Sequence, residues 1–181
     1  LRIQGSEDTT RKFLWKLGDG SMVESVLIPA TVGSSGRRSA RLTLCVSSQV
    51  GCAYGCRFCA SGIDGWRRHL TSAEIVGQVI EASKIAGRRP DNLVFMGMGE
   101  PLANLPNLLP ALELLISPAG IGMGARHVTI STSGLAPQIE ELARHPLQFR
   151  LALSLHAASD EVRDKIMPVN RRYPLERLLA A

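Results

Sequence analysis

Residues 41–62 read RLTLCVSSQVGCAYGCRFCASG. The opening, RLTLCVS at 41–47, alternates polar and apolar side chains as a β-strand does. Cys52-Ala-Tyr-Gly-Cys56-Arg-Phe-Cys59 follows, a C-x3-C-x2-C spacing that gathers three thiols in one short loop. Gly51 and Gly55 supply the backbone freedom to wrap that loop around a small object. A strand feeding a thiol-rich loop is the unit from which the rest of the chain is read outward.

Downstream the same rhythm repeats. Residues 71–86 predict a helix: Thr71-x-x-Glu74 is a capping box, and Ile75, Val76, Val79 and Ile80 share an apolar face. Residues 92–96 (NLVFM) predict a strand and 108–116 a helix, with Pro106 or Pro110 near its start. A strand at 127–131 (HVTIS), a short helix at 137–144 and a strand at 150–155 (RLALSL) follow. Ser159 can cap a further helix whose first turn carries Asp160 and Glu161. Strand–helix alternation of this kind calls for a parallel sheet with helical crossovers, hence an α/β fold. In such folds chemistry gathers at the C-terminal ends of the strands. The signatures CVSSQVGC, GMGEP, STSG and SLH stand at those ends and are expected to converge on one mouth.

Upstream, residues 13–29 carry two apolar runs flanking Gly18-Asp19-Gly20, a β-hairpin signal. GSSGRR at 33–38 reads as a loop and a boundary. The expected organisation is a hairpin and linker over residues 1–39 and a β/α core over residues 40–181.

Composition is that of an ordinary globular chain, 45% hydrophobic and 20% charged, with a mostly aliphatic core implied by only 4% aromatics. No apolar run reaches the roughly 18 residues of a membrane span, and no signal peptide is visible at the start. No membrane partner is expected, and the expected compartment is the cytoplasm. The net charge of +5 permits a polyanionic partner but does not require one. In that compartment, clustered cysteines favour a metal or cluster over disulfides.

Thiolates are the usual ligands of iron–sulfur clusters. Three cysteines on a four-iron cluster leave one iron open to bind a substrate, as an open position does in catalytic zinc sites. The alternatives are three core cysteines or a zinc site lacking a fourth ligand. Zinc usually shows paired C-x2-C units, and His69 stands at a distance that fits no common zinc pattern. Gly97-Met98-Gly99-Glu100-Pro101 exposes backbone and one carboxylate, or is simply a turn. Ser131, Ser154 and His156 offer hydroxyl and imidazole groups for a ribose or carboxylate, or are satisfied structure. Cys45 is a lone strand cysteine whose face alternation does not decide. The arginine groups at 37–38, 67–68, 88–89, 126 and 171–172 read mostly as solvated surface. Arg67-Arg68 follow the cysteine loop closely enough to face phosphates.

Taken together, CVSSQVGCAYGCRFCASG (45–62), WRRHLTSAEIVGQV (66–79), FMGMGEPLAN (95–104), HVTISTSG (127–134) and LALSLHAASDEVRDKIMPVN (151–170) closely resemble the RlmN/Cfr-type rRNA methyltransferases of the radical S-adenosylmethionine superfamily. The likeness runs in order from about residue 13 to the end and is nearer the RlmN, adenine-C2 branch. It implies a partial (β/α) barrel of the radical SAM type preceded by a β-hairpin. It also implies a [4Fe-4S] cluster on Cys52, Cys56 and Cys59 whose open iron chelates S-adenosylmethionine. One electron then splits the sulfonium to a 5′-deoxyadenosyl radical. Gly99, Glu100, Ser131, Ser154, Leu155 and His156 would line the cofactor site.

The implied reaction is methylation of adenine C2 in 23S rRNA and in some tRNAs, with an electron donor such as flavodoxin. The methyl group travels on a methyl-cysteine, and Cys45 is the catalytic thiol that resolves the RNA adduct. The rivals are Cfr-like methylation at adenine C8, a radical enzyme with a protein or small-molecule substrate, and a non-catalytic iron–sulfur or zinc module that docks on RNA. The chain departs from the family pattern in one respect. Its four cysteines are all accounted for, leaving none to carry the methyl group. The chain begins with Leu and ends inside an expected helix, so it reads as a fragment, cut at both ends, and without that cysteine it is expected to bind cluster and cofactor without completing methyl transfer.

Overall fold

Leu44 and Cys45 hydrogen-bond on one side to an antiparallel hairpin and on the other to a parallel strand, and this double pairing frames the molecule. The structure, a computed structural model, describes residues 1–6, 9–30 and 41–181. The GSSGRR segment and Arg37-Arg38 lie outside the described residues.

The hairpin forms as its apolar runs require. β2 (Arg11–Lys16) pairs with β3 (Met22–Pro29). Residues 17–21, which hold Gly18-Asp19-Gly20, connect them. Leu17 N–H donates to the Ser21 carbonyl at 2.8 Å, and Ser21 N–H donates to the Asp19 carboxylate at 2.9 Å. A short β1 (Arg2–Gln4), which the sequence pattern does not announce, adds to the edge of β2.

β4 (Leu42–Cys45), β7 (Asn92–Phe95), β8 (Val128–Thr132) and β9 (Arg150–Leu153) are mutually parallel neighbours. Among the described residues the large sheet has the order β1-β2-β3-β4-β7-β8-β9. Between its parallel strands run α1 (Ser72–Ala86), α2 (Leu105–Ile116) and α3 (Ala136–Ala143). After β9 come α4 (Asp160–Ile166) and α5 (Leu175–Ala180). This is the α/β architecture, a partial (β/α) barrel behind a hairpin, that strand–helix alternation dictates. β5 (Gln49–Gly51) and β6 (Trp66–His69) form a separate two-stranded ladder that brackets the cysteine loop.

The helices start where local chemistry says. Thr71 and Glu74 make both halves of the capping box, and Gly87 ends α1 in the left-handed conformation. α2 begins earlier than its apolar periodicity suggests, because a helical turn at Pro101–Asn104 feeds directly into it. Ser159 stands at the N-cap of α4, yet its side chain makes no capping hydrogen bond, contrary to the expectation.

Strand burial explains where the cavity lies. Leu93, Phe95, Val128 and Ile130 are fully buried, while their alternating neighbours are half-exposed. Ile75 and Val79 of α1 and Leu108, Leu112 and Leu115 of α2 belong to the same buried core. Each such side chain contributes about 1.5–3 kcal/mol by leaving water. The other strand face looks into the open barrel.

Candidate active site

The cysteine loop leaves β5 and returns through β6. Its two ends meet at Gly51 and Gly65, where Cys52 N–H donates to the Gly65 carbonyl at 3.1 Å. Gly51 has φ +74°, and a Cβ there would collide with that carbonyl, so only glycine closes the loop. Inside the loop Cys59 N–H donates to the Cys56 carbonyl at 3.0 Å, and Arg57 N–H reaches the Ile166 carbonyl of α4 at 2.9 Å.

Cys52, Cys56 and Cys59 line one cavity of about 260 Å³. Gly99 and Glu100 join its wall from the loop after β7, and Ser131, Thr132, Ser133 and Ser154 join from the ends of β8 and β9. The strand ends thus converge as expected. Among the described residues, Cys45, Leu155, His156 and His69 do not line this cavity.

The glycine-rich loop is tied down from beneath. Met98 N–H donates to Ser47 Oγ at 2.8 Å, and the Met98 carbonyl accepts from Ser48 and Gln49 N–H. Gly99 lies at φ +96° against the Gln49 side chain, where a Cβ would clash, while Gln49 Oε1 accepts from Glu100 N–H at 2.8 Å. Glu100 itself is buried. Its carboxylate accepts from Ser133 N–H and Ser133 Oγ, each at 2.7 Å, and from Leu102 N–H at 3.1 Å. Burial pushes its pKa up, and these donors pull the other way.

Ser131 and Ser154 stand with their hydroxyls 3.5 Å apart, and Ser154 N–H donates to the Thr132 carbonyl. His156 adopts φ +54°, an uncommon conformation for a residue with a side chain, and its ring packs on Phe58 with centroids 4.2 Å apart. Leu155 offers its carbonyl to Arg163.

Cys45, whose face alternation leaves open, is placed by register. It pairs with Val94, and Val94 pairs with Thr129, which shares a face with Ser131. Its thiol is therefore on the open-barrel side, buried, with burial pushing its pKa up and a hydrogen bond at Met96 pulling it down.

The cysteine arrangement fits an iron–sulfur cluster. The three thiols are free of disulfides and half-buried. Burial, with the charges of Cys52, Cys59 and Glu100, pushes Cys56 up to about 11. Burial likewise pushes Cys52 up. Such mutual disfavour is relieved by a cationic group that binds thiolates outright. Among the described residues no three His, Cys, Asp or Glu side chains close to the spacing of a single metal ion. A cluster places each thiolate on a different iron and so spreads its ligands further. His69, the alternative zinc ligand, instead engages the Gln49 side chain through Nδ1 at 3.0 Å.

The family model for the radical SAM superfamily matches residues 46–181. The chain belongs to the radical SAM superfamily. It is 61% identical over its whole length to a probable dual-specificity RNA methyltransferase RlmN of Akkermansia muciniphila, of which it covers 50%. It is 52% identical over 99% of its length to a dual-specificity RNA methyltransferase RlmN of Geotalea uraniireducens, of which it covers 49%. The crystal structure of a radical SAM methyltransferase from Sphaerobacter thermophilus superposes with a TM-score of 0.90 at 44% identity, over 99% of this chain and 52% of that one. The chain thus spans about half the length of the curated relatives it matches. No helix among the described residues is long and apolar enough to cross a membrane.

Two functional features escape a reading of the sequence alone. Arg163 is fully buried beside the site, although DEVRDK reads as an exposed helix face. The β5–β6 ladder is the other; Gly51 and Gly65 flanking the cysteines were its only signal. Of the paired arginines, Arg68 is engaged with Asp19 and Glu74, while Arg67 lines a second cavity with Ser21 and Met98.

Proposed function

We propose that the full-length protein is a radical SAM RNA methyltransferase that methylates C2 of an adenine in 23S rRNA, and of tRNA, through a methyl-cysteine. The observation that carries this reading is the convergence of three cysteines, a glycine-rich loop and two strand-end serines on one cavity. The relatives, named dual-specificity RNA methyltransferases, support the substrate class.

Cys52, Cys56 and Cys59 would hold a [4Fe-4S] cluster, and Gly99, Glu100, Ser131 and Ser154 would frame S-adenosylmethionine from the cavity wall, with Leu155 and His156 behind it, the first hydrogen-bonded to Arg163 and the second packed on Phe58. When bound, the cluster supplies the electron that cleaves the cofactor's sulfonium. The chain's own residues do the holding. The Gly99 backbone, kept free of a Cβ, lets a ligand approach the main chain. Glu100, braced by Ser133 and Leu102, presents a fixed negative edge beside the thiols, suited to an ammonium group. The paired Ser131 and Ser154 hydroxyls offer donors and acceptors to a ribose or carboxylate.

Cys45 on the open-barrel face would take the C2 proton, and the disulfide it then forms with the methyl-carrying cysteine would break that cysteine's S–C bond to the RNA, the electron pair leaving with the carbon, which takes up a proton. That second cysteine is supplied from outside these 181 residues, so the chain alone binds cluster and cofactor without completing transfer. A hairpin unit at residues 1–39, a core at residues 40–181, a cytoplasmic location and a flavodoxin-type electron donor belong to the same proposal.

The deciding experiment uses the full-length protein, reconstituted anaerobically with iron and sulfide and incubated with unmodified 23S rRNA. Electron paramagnetic resonance is expected to show a four-iron signal that shifts on adding S-adenosylmethionine. Mass-spectrometric mapping is expected to place the new methyl at adenine C2. A methyl at C8 would move the protein to the Cfr-like branch, and a zinc-only protein would end the radical reading.

A further inference from the structure

Arg163 of α4 is completely buried and hydrogen-bonds only to uncharged oxygens. Nε donates to Asn170 Oδ1 at 2.7 Å, Nη1 to the carbonyls of Ser154, at 3.0 Å, and Leu155, and Nη2 to the Ser133 carbonyl at 3.2 Å. Among the described residues it makes no ion pair. Two carboxylates stand one residue away: Asn170 Nδ2 donates to Asp160 at 2.9 Å and to Asp164 at 2.8 Å. A buried cation is kept only where its donors are satisfied, and here they are satisfied by Asn170 and by the backbone just after two strands.

Those strand ends are not arbitrary. Ser154 and Leu155 directly precede His156, whose φ of +54° persists only where the surroundings over-determine it. The His156 ring lies on Phe58, between two of the loop cysteines. Ser133 is the residue that braces Glu100. The same helix grips the cysteine loop from its other end, through the Ile166 carbonyl and Arg57 N–H. Arg163 thus joins the Glu100 support, the turn at residues 154–156 and, through α4, the cysteine loop.

We propose that Arg163 is a positioning residue that locks the turn at residues 154–156 against the cysteine loop and so fixes the shape of the cofactor cavity. The cofactor part of this inference rests on the reading that the cavity holds a cluster and S-adenosylmethionine.

The test uses full-length, anaerobically reconstituted protein and the variants Arg163→Lys, which keeps the charge but loses the fork, and Asn170→Ala, which leaves the carbonyl contacts in place. Two measurements are made: amide hydrogen exchange without S-adenosylmethionine, and equilibrium dialysis of S-adenosylmethionine. In Arg163→Lys, exchange at Arg57 and Ala157 is expected to quicken while that of the β2–β3 hairpin stays unchanged. Iron content is retained, and affinity for S-adenosylmethionine falls about ten-fold, or about 1.4 kcal/mol. Asn170→Ala gives a smaller change of the same sign, and it carries the test alone if Arg163→Lys does not fold. Wild-type exchange and affinity in both variants overturn the proposal. So does an affinity loss that merely tracks lost iron and lost folded protein, since that marks a structural role only. Failure of the unaltered protein to bind S-adenosylmethionine would instead refute the cofactor reading, and the exchange pattern would still decide whether Arg163 locks the turn.

Discussion

Glu100 is a carboxylate out of water whose oxygens face donors: Ser133 N–H, Ser133 Oγ and Leu102 N–H. Glu100→Gln keeps the shape but turns an amide NH2 toward a donor, which costs about 1–3 kcal/mol for the buried groups left unpaired. Urea unfolding is expected to report that loss, and S-adenosylmethionine binding is expected to weaken beyond it, because the fixed negative edge is gone. Unchanged stability would mean the carboxylate is protonated and already donating. The three loop cysteines were legible in the sequence because ligand spacing is a local property that survives without coordinates. Cys45 was only half legible, since alternation names two faces and register alone chooses between them. Arg163 was illegible, because its partners come from the segments after β8 and β9 and the turn after α4, and nothing in DEVRDK marks a buried position.

Among the elements, α1 was written plainly: Thr71-x-x-Glu74 forms both capping bonds. Thr71→Ala is expected to cost about 1 kcal/mol in thermal or urea unfolding. The β5–β6 ladder was hidden, being short, irregular in register at Val50 and Gly51, and closed across the intervening cysteine loop. A single arginine then ties these elements together. Arg68 of β6 donates to Asp19 in the β2–β3 connection at 2.7 Å and to both oxygens of Glu74 at 2.8 Å. Its guanidinium holds both carboxyls below the usual range. A depressed carboxyl pKa stabilises the fold above the unfolded value, near 4, and that stability is lost as pH falls through the folded value. Arg68→Gln should therefore lower the melting temperature by a few degrees at neutral pH, and the gap between variant and parent should close as pH drops below about 4. A gap that does not vary with pH would show that packing, not charge, holds the clamp.

At the scale of the whole molecule, strand–helix alternation was enough to foresee the parallel sheet and the mouth where its strand ends meet, because βαβ connectivity leaves few other solutions. A surface for the proposed RNA substrate is not written in any such rule; the net charge spreads over arginines that the fold uses very differently. Arg68 is consumed by its clamp and Arg89 by the carbonyls of Ile121 and Gly122. Arg67, one position from Arg68, has among the described residues no hydrogen bond or ion pair, and it lines a cavity with Ser21, Asp64 and Met98. Trp66, the residue before it, is 46% exposed with its ring edge on His69, and Phe58 on the cysteine loop is 53% exposed with its ring against His156. Base stacking on aromatic rings with phosphate contact nearby is how unpaired RNA is commonly held. Arg67→Ala in the full-length protein is therefore expected to weaken binding of an unmodified 23S rRNA fragment and to reduce the slope of log affinity against log salt by about 0.7–0.9, one phosphate contact. Its iron content and S-adenosylmethionine affinity should match the parent, since Arg67 does not line the cysteine cavity. If the salt slope is unchanged, RNA approaches from another face, and Trp66 and Phe58 must be explained by contacts within the longer protein.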